Sequence, residues 1–426
     1  YNKPTIAYRK LDALNQSMIK LFDTDPVRFY QEFKLGKPRK DKKSTALAIG
    51  DMVDFYLLAC RGNEDEFHSR FDEKFALLTA PKGSGQVFAL ADILFELTER
   101  DRDDETGKIK TSFETRFSEA VTRVQQDGKY KGKDEDKILE DFEKNGLEYF
   151  ETLCENLGKT VVDTSLVDKA LNVGNKLKHD SFTRDIFNGN DMLEYITHVF
   201  IVWDYEVGKG KKITCKAEVD MLFIDHEKKV IMPKDLKTTY DNESFDYMYI
   251  KNAYYLQNAF YNMAVKEWAK ANDMGDYTIL PMSFVVGDTS INNRRPLVYH
   301  TSEQDVDKGA NGFSLRGNWY RGINELIEEI ERCLNKISEH PEHYGFVGRN
   351  YDFRRIQLKR FPYKIVFEFD QFQIVVISFS HDKQNRQAVA RHLMVFTFGS
   401  DINIPLSRET EVAQLKPLRN HCNTEI

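Results

Sequence analysis

Two carboxylates and an ammonium at strand spacing are the residues of this sequence best placed to do chemistry together. On an extended strand, side chains two apart share a face, so Asp235 and Lys237 point one way and the Leu236 side chain points the other, into a core. Asp220 lies one hairpin upstream, on a strand that pairs antiparallel with theirs, and reaches the same place. Two carboxylates plus the backbone carbonyl of Leu236 make a hard, all-oxygen pocket of the kind Mg²⁺ or Mn²⁺ prefers. Phosphodiester hydrolysis needs hydroxide near neutral pH and compensation for negative charge gathering at phosphorus. A bound cation lowers the pKa of its water, and Lys237 is suited to orient that water or to stabilise the developing charge.

These groups need a sheet to hold them. Alternation at Ile196, His198, Phe200 and Val202 predicts a strand from about Glu194 through Val207, closed by the turn Gly208-Lys209-Gly210. A second strand is expected from about Ile213 to Ile224. After Asp225-His226-Glu227 a third runs from Lys229 to about Lys237, giving three consecutive antiparallel strands. Pro233 cannot donate a ladder hydrogen bond, so a bulge or an edge position is expected there. Residues 246–272 return to helical spacing, with Leu256, Phe260 and Met263 as one apolar stripe. Gln257 and Tyr261, four apart, share a face beside it. A further strand is expected at Thr278–Val286.

Upstream, the apolar run from Ser44 to Cys60 predicts a buried helix that carries Asp51 and Asp54, and 83–190 reads as mostly helical. Residues 8–33 also have helical spacing, and Lys34 to Lys43 forms a basic linker whose simplest reading is a solvated loop. An acidic amphipathic helix is expected from about Trp319 to Ile337. Strand-rich sequence follows at Arg354–Arg360, Lys364–Phe369 and Gln373–Phe379, placing a boundary near 340–350. The expected organisation is an N-terminal helix and linker (1–43), a main domain (44–340) and a C-terminal module (341–426).

A bare D-x-K is an ordinary surface ion pair in most strands. Here it is joined by Asp220, by Thr238-Thr239 at the strand exit, and by Gln257-Asn258-Ala259-Phe260-Tyr261 on a helix. That set resembles the PD-(D/E)xK nuclease superfamily, in particular the RecB-type and phage recombination exonucleases of the RecE and lambda-exonuclease kind, over roughly residues 40–335. The resemblance implies an α/β (α+β) restriction-endonuclease-like core, a mixed β-sheet flanked by helices. It implies a Mg²⁺-dependent exonuclease acting on double-stranded DNA ends, with a single-strand-annealing protein as partner, and it admits a homo-oligomer. It implies metal-binding roles for Asp220 and Asp235, a catalytic role for Lys237, and contributions to the site and to DNA contacts from Gln257 and Tyr261. Relatives often carry a His, or another acidic residue, in an upstream helix after a Gly. In Gly50-Asp51-Met52-Val53-Asp54, Asp54 takes its place, either as a further metal ligand or as a buried cap or ion-pair partner. Glu218 shares a face with Asp220, but a charge pair with Lys216 or Lys234 is the expected use of it. Lys209, Lys211 and Lys212 read as a solvated turn, and His226 as a turn residue.

The stretch from Ile330 to Arg386 resembles the second half of a ParE/RelE-type toxin, a small α+β antiparallel-sheet module. The opening strand and first helix of that fold are not recognisable, which favours a fusion remnant over an active toxin. If it acts, Arg355, Lys359, His381 and Arg386 are its first candidates, and the activity would be metal-independent RNA cleavage. The remaining alternative is a non-catalytic DNA-binding or toxin–antitoxin interaction protein.

Composition sets outer bounds. The chain has 426 residues, 41% of them hydrophobic, enough for a real core. Acidic residues (68) outnumber basic ones (61), so affinity for nucleic acid has to come from local patches. Five scattered cysteines without a CxxC pair suggest neither a disulfide framework nor a zinc ribbon and fit a reducing, cytoplasmic setting. No stretch approaches the roughly 20 apolar residues of a membrane span. The start, Tyr1-Asn2-Lys3-Pro4, lacks a signal-peptide pattern, and the missing initiator Met points to a trimmed or partial N-terminus.

Overall fold

Six strands build the mixed sheet of this α/β protein. The computed structural model describes residues 8, 11–29, 32–33, 44–78, 85–103, 106–189, 191–208, 210–292, 294–339, 354–357, 363–369 and 374–381. The chain divides into two compact units, Tyr1–Lys20 with Arg39–Glu325, and Leu21–Pro38 with Leu326–Ile426.

In the first unit, β3 (Glu194–Val207), β4 (Lys211–Asp225) and β5 (Val230–Thr239) are consecutive and antiparallel, as the alternation predicts. β5 then runs parallel to β6 (Thr278–Ile279) and β7 (Ser283–Asp288), and β7 pairs antiparallel with β8 (Leu297–His300). The single strand expected over 278–286 is broken at Leu280-Pro281, because proline has no ladder donor to give. That break explains Pro233 too. Leu280 N–H donates to the Ile231 carbonyl, so Ile231, and with it Pro233, turns its main-chain groups toward the gap between β6 and β7. The missing donor of Pro233 faces a place where no strand asks for one.

One face of the sheet is covered by α1 (Thr45–Asp54) and α6 (Thr164–His179). Met52, Val53, Val173 and Leu177 share a core there with Met221, Phe223, Leu236 and Val285. Ser44 caps α1 by accepting from Leu47 N–H at 3.2 Å. The helix then widens into a π-turn, Phe55–Ala59, in which all five residues are buried. Gly50 lets α1 pass close to the sheet, since a Cβ there would lie 3.2 Å from Thr238 Oγ1 at the end of β5. The opposite face carries α7 (Tyr254–Ala271). The helical stretch 246–272 divides in two, Phe245–Lys251 and α7, because Ala253 adopts a left-handed φ of 51° between them.

Much of the helical stretch upstream of β3 lies between two short strands. β1 (Phe75–Leu78) and β2 (Thr160–Asp163) pair in parallel and bring its two ends together. Between them, α2 (Gly85–Arg100), α3 (Phe113–Gln126), α4 (Glu135–Asn145) and α5 (Leu147–Glu155) pack around a core of their own that includes Leu90, Leu94, Phe117 and Phe142. Within 8–33, the helices are Gln16–Thr24 and Pro26–Phe29. The helix expected from Trp319 starts later, at Ile323. Asn318–Tyr320 is drawn into a hairpin with Phe313–Leu315, turning through Arg316 and Gly317 at φ 51° and 80°.

In the second unit, Arg354–Gln357, Tyr363–Phe369 and Ile374–His381 form a three-stranded antiparallel sheet. Arg355 and His381 fall on its outer strands. Lys359, Arg386, Lys209 and the basic linker 34–43 lie outside the described residues. Among the described residues no helix is long and apolar enough to cross a membrane, and Cys60, Cys154 and Cys215 are free thiols.

Candidate active site

The site forms where β5 parts from β4. Their ladder ends at the Met221–Lys234 pair. Beyond it the Leu236 N–H still turns toward β4, and the Asp220 carboxylate, standing in for a backbone carbonyl, accepts from it through Oδ2 at 2.8 Å. A residue's N–H and C=O leave a strand on the same side, so the Leu236 carbonyl projects toward the same opening. The Leu236 side chain is buried in the α1–α6 core, and Asp235 and Lys237 take the other face, beneath α7.

Asp235 is 1% exposed. Its Oδ1 accepts from Gln257 Nε2 at 2.5 Å, and its Oδ2 is ion-paired with the Lys237 ammonium. That ammonium also lies 5.2 Å from the centre of the Tyr254 ring and 6.0 Å from that of Phe284. Tyr261, one helical turn beyond Gln257, shares the field of both carboxylates. Thus Asp220, Asp235, Lys237, Gln257 and Tyr261 converge.

The electrostatics follow from this crowding. Burial, reinforced by Asp235, drives the Asp220 pKa well above the usual carboxylate range, against the pull of Lys237 and the Leu236 N–H. Burial also raises Asp235, opposed by Lys237 and Gln257. For Lys237, burial acts to remove the proton, but the attraction of Asp235 and Asp220 outweighs it and raises the pKa. Burial, then the two carboxylates, lift the Tyr261 phenol well above its ordinary value, so it stays neutral.

Asp54 takes a mixed position. Its carboxylate acts on Asp220 through space, and its Oδ2 lies 3.7 Å from Nε2 of His198. Burial raises its pKa, with His198 opposing. Glu218 departs from expectation, because its partner is His198 Nδ1 at 3.1 Å and not a lysine. Lys216 instead donates to the carbonyls of Tyr8 and Leu11, and Lys234 lies over the Phe223 ring. Sequence reasoning treated His198 only as a member of an alternating strand, although its place across from Asp220 in the hairpin was a usable signal. Lys20, whose ammonium lies 5.7 Å from the same Tyr254 ring that Lys237 approaches, carried no signal at all. His226 is a turn residue, as expected, and pairs with Glu194 at 2.7 Å.

No known family model matches the chain, and no curated protein matches it.

Among the described residues, no group of three or more His, Cys, Asp or Glu side chains is arranged to hold a metal ion. The available donors are the Asp220 and Asp235 carboxylates and the Leu236 carbonyl. This set fits Mg²⁺, which keeps several waters and takes one or two protein carboxylates together with substrate phosphates. Two crowded carboxylates with raised pKa values, Asp235 buried and Asp220 half-buried, gain most from a cation. An open groove of about 1000 Å³ beside Trp203, Met263 and Tyr277 shares no residue with the cluster and is not the place of this chemistry.

Proposed function

We propose that this protein is a Mg²⁺-dependent deoxyribonuclease of the PD-(D/E)xK type, an exonuclease that hydrolyses phosphodiester bonds from duplex DNA ends in phage-type recombination or DNA processing in the cytoplasm. The observation that carries the reading is the convergence of Asp220, Asp235 and Lys237 at the opening between β4 and β5, with Gln257 fixed on Asp235 from α7. The end preference, a single-strand-annealing partner and homo-oligomerisation rest on the sequence resemblance.

A divalent cation, when bound, supplies a nucleophile from water at neutral pH and neutralises phosphate charge. Asp220 and Asp235 would hold it, with the Leu236 carbonyl alongside. Gln257 fixes the rotamer of Asp235, and the Leu236 N–H fixes that of Asp220. Lys237, beside Asp235, is placed to stabilise negative charge at phosphorus and on the leaving oxygen. Tyr261, kept as a neutral phenol, offers a donor to a phosphate oxygen.

The test offers end-labelled duplex DNA to the purified full chain with Mg²⁺ or with chelator, alongside Asp235→Ala and Lys237→Ala. Mg²⁺-dependent release of label by the wild type, reduced by at least about 10²-fold in both variants, is expected. Loss of label in chelator, or full activity in Asp235→Ala, refutes the reading. Cleavage of RNA without metal would transfer the activity to the C-terminal module.

A further inference from the structure

His198 has a conformation that strand formation does not explain. In the middle of β3 its φ is 50°, the left-handed region that a non-glycine residue enters at a cost of about 1–2 kcal/mol. It is also passed over in the ladder. Thr197 pairs with Met221 and Val199 with Val219, but His198 does not pair with Asp220 opposite. The faces of β3 exchange across this point. Tyr195 stacks on Phe223 in the core beneath α1 and α6, whereas Trp203, of the same strand parity, packs on Phe260 of α7. Irregular strand residues of this kind re-aim side chains beside functional sites.

The imidazole is re-aimed between two carboxylates. His198 is 5% exposed, its Nδ1 is 3.1 Å from Glu218 Oε1, and its Nε2 is 3.7 Å from Asp54 Oδ2. One of these carboxylates belongs to α1, the other to β4 two residues before Asp220. We infer that His198 is a positioning residue of the proposed nuclease site. It ties the end of α1 to β4, holds Asp54 toward Asp220, and thereby sets how tightly a divalent cation is held at Asp220 and Asp235. This rests on the metal site of the proposed function.

The test compares the wild type with His198→Gly, His198→Asn and Asp235→Ala. Glycine accepts the left-handed φ without strain and removes only the ring; asparagine also tolerates it and keeps a short polar group. Mn²⁺ binding is read directly from the electron paramagnetic resonance of the free ion, and DNA cleavage separately. The expected result is Mn²⁺ affinity lowered about 10-fold or more in His198→Gly, a smaller loss in His198→Asn, and recovery of His198→Gly by added imidazole. A backbone-only role predicts that His198→Gly binds Mn²⁺ like the wild type, and that result overturns the inference while leaving the nuclease reading intact. Loss of affinity that imidazole does not restore, equal in Gly and Asn variants, also overturns it. Normal Mn²⁺ binding without DNA cleavage by the wild type sinks the nuclease reading and leaves the inference standing. Absence of Mn²⁺ binding by the wild type overturns both.

Discussion

Replacing Asp220 by Asn separates the cost of the site from its use. Asparagine has nearly the same volume, and its amide oxygen still accepts from the Leu236 N–H, so the 2.8 Å bond that ties β4 to β5 survives. What disappears is a charge that burial and Asp235 both oppose. The folded state holds the Asp220 proton more tightly than the unfolded chain does. Its contribution to stability is therefore fully present below the unfolded-chain pKa and is lost as pH rises through the raised folded-state value. Above that window the wild type carries the penalty and the variant does not. Each tenfold change in proton affinity is worth about 1.4 kcal/mol. A gain of about 1 kcal/mol in a domain of this size raises Tm by about 2 °C.

The measurement is a pair of thermal melts, at pH 8 and pH 4, with chelator and with Mg²⁺. At pH 8 in chelator, Asp220→Asn should melt about 2 °C or more above the wild type, and the two should converge at pH 4. Mg²⁺ at about tenfold above its Kd stabilises the wild type by about 1.4 kcal/mol through RT ln(1 + [L]/Kd), reversing the order. The variant gains little from it. A variant that melts below the wild type in chelator at pH 8, or that gains as much from Mg²⁺, would refute the account of Asp220 as a strained cation ligand.

Two further outcomes follow from packing. Lys237→Met should cost about 3 kcal/mol, because it leaves the buried Asp235 carboxylate without its counter-charge. Asp235→Asn in the same chain should recover most of that loss, and a denaturant-unfolding double-mutant cycle in which the two losses simply add would contradict it. Gly174→Ala should destabilise the chain by about 1–3 kcal/mol, since the new methyl would sit 2.4 Å from Cδ1 of the buried Tyr56 ring. An unchanged unfolding midpoint would show that α6 does not lie against the π-turn as closely as described.

The strands that carry the site were legible because period-two alternation is strong over 194–239 and the two turns between them are marked by Gly and Asp. For the same reason the faces of Asp235, Leu236 and Lys237 followed from strand geometry alone. Breaks caused by a single backbone state were harder to see. Ala253 and His198 have positive φ in the middle of otherwise regular periodic patterns, so the division of the 246–272 helix and the exchange of faces in β3 were not marked by a glycine or a turn motif. The Glu218 partner was misread on the same account. With regular alternation a nearby lysine is the natural choice, and only the left-handed turn at 198 brings an imidazole to it. The parallel pairing of β1 with β2 across the 81 residues 79–159 joins short strands too far apart for local pattern to reveal.

The site sits where the sheet is least regular, and the irregularities have one cause in common. β5 has to leave an antiparallel neighbour, β4, and continue beside a parallel one, β7. Past Lys234 its inner edge would offer an unpaired Leu236 N–H, and a buried donor without a partner costs about 1–3 kcal/mol. Asp220 removes that cost through a carboxylate, which brings a negative charge within reach of Asp235. Lys237 compensates both from the same face, and in doing so is held protonated. A protonated lysine there is suited to an anion. The solution to a hydrogen-bonding problem in the sheet therefore produces a pair of carboxylates suited to a cation, beside a fixed positive charge suited to a phosphate. A pH–rate profile with no loss of activity up to pH 9 would agree with Lys237 acting by charge alone, whereas a rate that rises through that range only in the presence of Lys237 would assign it the role of base.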